Sequence, residues 1–336
     1  MNRRTLLTGA ALAPLLAAPR PARAGRPPAL SSILSGARDL PPLRAVAIWR
    51  DGQEVAAEGY HGFGPDQPTN IKSASKSVIS ALAGIAIDKG HLTGTGQAVA
   101  PILEDQLPAD PDPRLARLTL GHLLSMQAGL ERQSGANYGR WVSSPNWVRA
   151  ALAAPFTQDP GGRMQYSTAS THLVSAILAR VTGRSTLALA NDWLGPLPGF
   201  AITGWERDPQ GIHLGGNQMA MSTRSLLAFG ALYAAGGRAG GRQIVPRDWI
   251  RDSWTPRTSS IFSGQGYGYG WFITRIAGRD LRYGWGYGGQ MIYVFPASRS
   301  APAAAIAMTS DPDQPSARTG YRDDLHRLAG RIVQSL

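Results

Sequence analysis

The first regular signal along the chain is a pair of β-compatible runs, residues 43–49 and 54–59, joined across Arg50-Asp51-Gly52-Gln53. Asp-Gly is a favoured two-residue hairpin turn, so the pattern predicts an antiparallel hairpin. Over residues 73–88 apolar side chains fall at Val78, Ala81, Leu82, Ile85 and Ile87, which predicts a mostly buried helix that Gly90 is placed to end. From about 95 to 210 the pattern is helical pieces and loops, with helices expected over 118–126, 147–153, 171–182 and 187–194. Another helix is expected over 221–235. Short β-like runs then return at 267–274, 281–285, 291–295 and 303–308, before an amphipathic helix from about 318 to 336.

Strands at both chain ends with helices between them predict an α/β fold of the α+β type. An antiparallel sheet flanked by helices would be formed from both chain ends (about 43–94 and 211–336), with a helical lobe (about 95–210) inserted. The 336 residues are enough to bury a large core, and 43% hydrophobic against 17% charged residues excludes disorder. Residues 25–42, rich in Pro, Gly and Ser, read as a linker entering a short helix.

The start of the chain changes the picture in one respect. Arg3 and Arg4, the apolar run 6–18 and Ala22-Arg23-Ala24 predict an export signal over residues 1–24, of twin-arginine or general secretory type, with cleavage before Gly25. The run is too short to span a bilayer, so no stable membrane insertion is expected. A periplasmic or secreted location follows, and the absence of cysteine is compatible with it. Loss of four signal arginines lowers the formal charge from +12 to +8. The remaining arginines are scattered and no nucleic-acid motif accompanies them, so no nucleic-acid partner is expected.

Three segments carry candidate chemistry. In Ser73-Ala74-Ser75-Lys76, at the start of a buried helix, the i and i+3 side chains share a face. A serine hydroxyl needs a base, and a desolvated lysine can have its pKa lowered far enough to be one. Only Lys72, Lys76 and Lys89 among the 34 basic residues are lysines, which makes this spacing more telling. Tyr166-Ser167-Thr168 precedes an apolar helix and could relay protons; Gly284-Trp285-Gly286-Tyr287-Gly288-Gly289-Gln290 is a Gly-rich strand start that lets backbone approach a substrate. Each has a plainer reading: a helix cap, a packed loop tyrosine and a tight turn.

Together, in this order, they resemble the β-lactamase-related serine hydrolases, a family of class C β-lactamases, D-alanyl-D-alanine carboxypeptidases, family VIII esterases and nylon-oligomer hydrolases. The resemblance runs from about 43 to 333 and rests also on residues 118–126 (Leu-Thr-Leu-Gly-His-Leu-Leu-Ser-Met) and on Thr171-His172-Leu173. It implies a single catalytic domain over 25–336 in the β-lactamase/transpeptidase-like fold. It implies Ser73 as acylated nucleophile, Lys76 as its base, Tyr166 as general acid/base, and the backbone N–H groups of Ser73 and Tyr287 as oxyanion hole. Thr168 stands where the family's Tyr-x-Asn has asparagine, and Gly284-Trp285-Gly286 stands where β-lactamases and carboxypeptidases have Lys-Thr-Gly or His-Thr-Gly.

With that cation missing, the expected substrates are small uncharged esters or amides, with weak or no β-lactamase activity. Substrate contacts are expected from Thr168, Trp285, Gly286 and Tyr138, with Trp141 adding to an apolar pocket; Arg282 is the one nearby cation on the strand. No cofactor or metal is expected, because the six histidines show no ligand spacing. No G-x-S-x-G occurs, which disfavours an α/β-hydrolase triad. Two alternatives stand beside the esterase reading: a non-catalytic penicillin-binding-like sensor, and a carboxypeptidase or β-lactamase.

Overall fold

The computed structural model describes residues 29–316 and 318–336; the expected export signal lies outside them. Eight strands form one antiparallel sheet: β1 (Leu43–Arg50), β2 (Gln53–Gly59), β3 (Thr258–Ser259), β4 (Gly266–Tyr267), β5 (Phe272–Ile276), β6 (Arg279–Gly286), β7 (Gln290–Phe295) and β8 (Ala304–Ser310). Their spatial order is β2-β1-β8-β7-β6-β5-β4-β3, so the two chain ends meet where β1 pairs with β8. The β1–β2 turn is the expected one, with Asp51 at φ 46° and Gly52 at φ 93°, a positive φ at both central residues.

Strands β7 and β8 are buried along their whole lengths because helices cover both faces. Val46, Ile48, Tyr293 and Ile306 pack with the helices Leu30–Gly36 and Tyr321–Ser335, while Ala47, Ile292, Val294 and Ala307 belong to the larger core with the helices Ser75–Asp88 and Thr223–Ala234. This two-sided burial is why the strands read as apolar runs without alternation. The helices Leu120–Leu124, Trp147–Leu152, Thr168–Thr182 and Thr186–Trp193 fill the stretch between the sheet's two halves.

Some local expectations shift. Residues 267–274 do not make one strand: Gly268 N–H turns back onto the Trp271 carbonyl and Gly270 takes φ 78°, which separates β4 from β5. A small sheet of Thr69–Asn70, Met219–Met221 and Gly204–Trp205 is new, and it fastens the segment before Ser73 to the segment after residue 213.

Candidate active site

Ser73 lies in a 3₁₀ turn, Lys72–Ala74, that runs directly into the helix Ser75–Asp88. Lys72 takes φ 49°, rare for a residue with a side chain, and is held there by its N–H donating to Asn70 Oδ1 (2.9 Å) and its carbonyl accepting from Ser75 Oγ (2.7 Å). The turn leaves Ser73 partly exposed while Lys76, one helical step on, is only 2% exposed.

Lys76 Nζ stands 3.1 Å from Ser73 Oγ, 3.3 Å from Thr168 Oγ1 and 2.6 Å from the Gly216 carbonyl oxygen. No carboxylate pairs with it among the described residues, and burial alone pulls its pKa from 10.5 down to about 7. This decides what the amine can do. As an ammonium it donates to all three oxygens; as a neutral amine it gives its two hydrogens to Thr168 and Gly216 and turns its lone pair to the Ser73 hydroxyl. The two acceptors other than Ser73 therefore aim the base.

Gly216 is itself fixed by contact. At φ 85° a Cβ there would lie 2.3 Å from Thr171 Oγ1 and 2.6 Å from Lys76 Cγ. Behind it, Thr171 Oγ1 donates to the Gly215 carbonyl (2.9 Å), and Gly215 N–H approaches His172 Nδ1 (3.4 Å). His172 Nε2 meets Asp208 Oδ2 at 3.0 Å with both side chains fully buried. His172 is thus held by its pairing with Asp208 and by the rings of Trp141 and Trp147, and His122 closes a capping box with Thr119.

Tyr166 immediately precedes the helix Thr168–Thr182, is 8% exposed, and has its ring centroid 5.2 Å from Lys76 Nζ. Burial pushes its phenol up to about 12, while a hydrogen bond from Ser73 and the nearby Arg132 cation pull the other way. At neutral pH it is a phenol beside the serine, suited to donate a proton. Thr168 is 4% exposed, and its hydroxyl faces Lys76 and Ser134 Oγ (3.0 Å). The residue expected at the substrate surface is thus a buried partner of the base, because the shorter threonine side chain stops at Lys76.

The third segment closes the site from the sheet. Gly284 and Gly286 face the Ser73 turn and its helix: a Cβ at Gly286 would lie 2.2 Å from the Ile71 carbonyl oxygen, and one at Gly284 2.9 Å from Ser77 Oγ. Trp285 and Tyr283 point to the opposite face. Trp285 packs edge-on against Phe262 (5.8 Å) and donates from Nε1 to Ser316 Oγ (3.4 Å), under the Arg322 guanidinium. Tyr287 follows on the turn into β7 with a side chain 51% exposed.

Two expected neighbours are elsewhere. Trp141 is core, 2% exposed and packed on Trp147 and His172, since its helix buries that face. Arg282, on the face opposite Trp285, lies over Trp254. Tyr138 is half-buried with its hydroxyl accepting from Asn217 Nδ2 at 3.0 Å, one residue from Gly216. Sequence reasoning missed Gly216, Ser134, Arg132 and Phe262; only the Gly215-Gly216 doublet carried a signal. An open cleft of about 500 Å³ lined by Leu103, Val148 and Arg180 contains none of the site's groups.

A family model described as Beta-lactamase matches residues 42–329. The 6-aminohexanoate-dimer hydrolase of Paenarthrobacter ureafaciens is 25% identical over 293 residues, 78% of this chain and 72% of that protein. A fimbrial assembly protein FimD of Dichelobacter nodosus, serogroup H1, is 30% identical over 160 residues; the match spans 44% of this chain and only 40% of the relative's length. Among solved structures EstCE1, described as a hydrolase with promiscuous acyltransferase activity, superposes with a TM-score of 0.71 at 17% identity, covering 91% of this chain and 97% of that one, a likeness of fold.

Proposed function

The chain belongs to the Beta-lactamase family of serine hydrolases, and on that premise we propose that it cleaves small esters or amides through an acyl-enzyme on Ser73, esterase-like, with weak or no β-lactamase activity. The observation that carries the reading is Lys76: a buried lysine near neutrality, without a carboxylate, aimed at Ser73 Oγ by two further oxygens. A non-catalytic binder has no use for such a base.

In the proposed cycle Lys76 takes the Ser73 proton as the oxygen attacks the carbonyl, and the backbone N–H groups of Ser73 and Tyr287 receive the oxyanion. Tyr166 gives its proton to the leaving group; water then releases the acyl group by the reverse transfers. The substrate preference rests on Gly284. Glycine stands at 284, where an added Cβ would lie 2.9 Å from Ser77 Oγ, and so offers no cation in the place where β-lactam enzymes pair the substrate carboxylate. Such a charge-assisted hydrogen bond is worth about 1.5–3 kcal/mol. Trp285 instead offers an aromatic face. Export to the periplasm or beyond remains part of this proposal, on the strength of residues 1–24.

The test sets p-nitrophenyl butyrate beside nitrocefin on one preparation, with mass spectrometry of the trapped acyl-enzyme. The expected result is an adduct on Ser73, abolished in Ser73→Ala, and a larger kcat/KM for the ester. An adduct on another residue, or nitrocefin better by tenfold, about 1.4 kcal/mol, would overturn it.

A further inference from the structure

One charged group at this site has no partner among the described residues. Arg132 lies on a loop whose next two residues are fastened to the catalytic segment: Gln133 N–H donates to Ser167 Oγ (2.9 Å), and Ser134 Oγ accepts from Thr168 N–H (2.9 Å). Its guanidinium carbon is 5.9 Å from the Phe262 ring centroid, and Phe262 packs edge-on against both Tyr166 (5.2 Å) and Trp285 (5.8 Å). Neighbouring arginines find acids: Arg140 pairs with Glu131 and Arg322 with Asp323. Among the described residues Arg132 makes no ion pair, and its buried Nε has no hydrogen-bond partner.

A buried N–H without an acceptor is costly, and a guanidinium fork matches a carboxylate in plane and spacing. The ring beside it is open to solvent, Phe262 being 40% exposed, and Trp285 is partly exposed, so an aromatic or aliphatic body can lie along Phe262 and Trp285 and bring an anion to the fork. Tyr166, the residue these groups share, is the one assigned to the leaving group. We propose that Arg132 is a specificity-determining residue that pairs with a carboxylate on the leaving-group half of the substrate. This rests on the serine hydrolase reading above and replaces the expectation of uncharged substrates, which sought a cation only along the strand of the third motif. The cation comes from the helical lobe instead.

The experiment compares 4-acetoxybenzoate with methyl 4-acetoxybenzoate, which share the acyl group and differ in charge on the leaving phenol. Each kcat/KM is divided by the ester's rate with hydroxide. The wild-type protein is expected to favour the carboxylate by about tenfold or more, mainly in KM. Arg132→Gln brings the ratio to near one, and Arg132→Lys, a point charge without the fork, falls between. Rising salt lowers the wild-type ratio. Because the readout is a ratio within one protein, a general loss of activity in Arg132→Gln does not mimic it, and the wild-type ratio and Arg132→Lys decide the matter if that variant does not fold. Turnover of both esters with a wild-type ratio at or below one, or a ratio unchanged in the variants, overturns the role of Arg132 and leaves the hydrolase intact. No turnover of either ester together with no acylation of Ser73 takes down the hydrolase reading and this one with it.

Discussion

The two walls of the Ser73 site are built on opposite principles. The sheet wall, at Gly284 and Gly286, is backbone pressed on the Ser73 turn and its helix, with separations a single Cβ would violate. The helical-lobe wall is made of side chains, Tyr166, Thr168, Ser134 and Arg132, with the Gly216 carbonyl added at its edge. One wall tolerates no addition and the other no loss. Substitutions should therefore fail by different routes on the two sides, through misplacement of the nucleophile on the first and through lost proton transfer on the second.

The largest effect should come from the residue both walls serve. Lys76→Ala is expected to lower turnover by about 10²-fold or more, the scale for removing a general base, while the protein stays folded. Its titration gives the same test in the unmodified protein. Since the neutral amine is the active form and its pKa is about 7, activity should rise about tenfold per pH unit below that value and level off above it. Tyr166, raised to about 12, stays a phenol over this range and adds no descending limb below pH 9. A folded Lys76→Ala protein with near wild-type turnover, or a flat profile from pH 5 to 8, would mean that the base lies elsewhere.

Next in size is an insult to the sheet wall. Gly286→Ala puts a methyl 2.2 Å from the Ile71 carbonyl oxygen, so the turn must move; overpacking of this kind costs about 1–3 kcal/mol. A lower melting temperature should accompany reduced turnover, with the pH limb left in place because Lys76 keeps its surroundings. Gly96→Ala, where the added carbon meets open space, is the control and should be silent. If Gly286→Ala retains both stability and rate, the close approach does not matter to catalysis.

The contrast between the walls also explains what could be read from the chain. Ser73 and Lys76 were legible because helical spacing brings them together within four residues, and β1 and β2 because Asp51-Gly52 dictates its own turn. Tyr166 could be singled out only as one member of an ordered set of motifs. Gly216 and Arg132 carry no such mark. Gly216 meets Lys76 across 140 positions, through a three-stranded sheet of two- and three-residue strands too short to leave a periodic trace. Arg132 differs from its paired neighbours only in what it lacks. The partners of Thr168 carry no mark for the same reason: whether a hydroxyl points to substrate or to a buried amine depends on the far side of the fold.

Thr168 also provides the finest test of the comparison. Thr168→Val keeps the shape of the helical-lobe wall and deletes one acceptor of Lys76, leaving Gly216 and Ser73 in place. A hydrogen bond of this kind is worth about 0.5–1.5 kcal/mol, so turnover on the plateau should fall by about two- to tenfold, far less than in Lys76→Ala. The direction of the pH shift follows from which form the hydroxyl stabilises. Thr168 Oγ1 accepts more strongly from the ammonium than from the neutral amine, so its removal disfavours the charged form and moves the limb below its wild-type position near 7. Thr168→Ser restores the oxygen and should restore both plateau and limb. A Val variant whose limb stays in place or moves upward would show that Thr168 does not act on Lys76 as a hydrogen-bond acceptor, and the side-chain wall would then owe its effect to packing, as the sheet wall does.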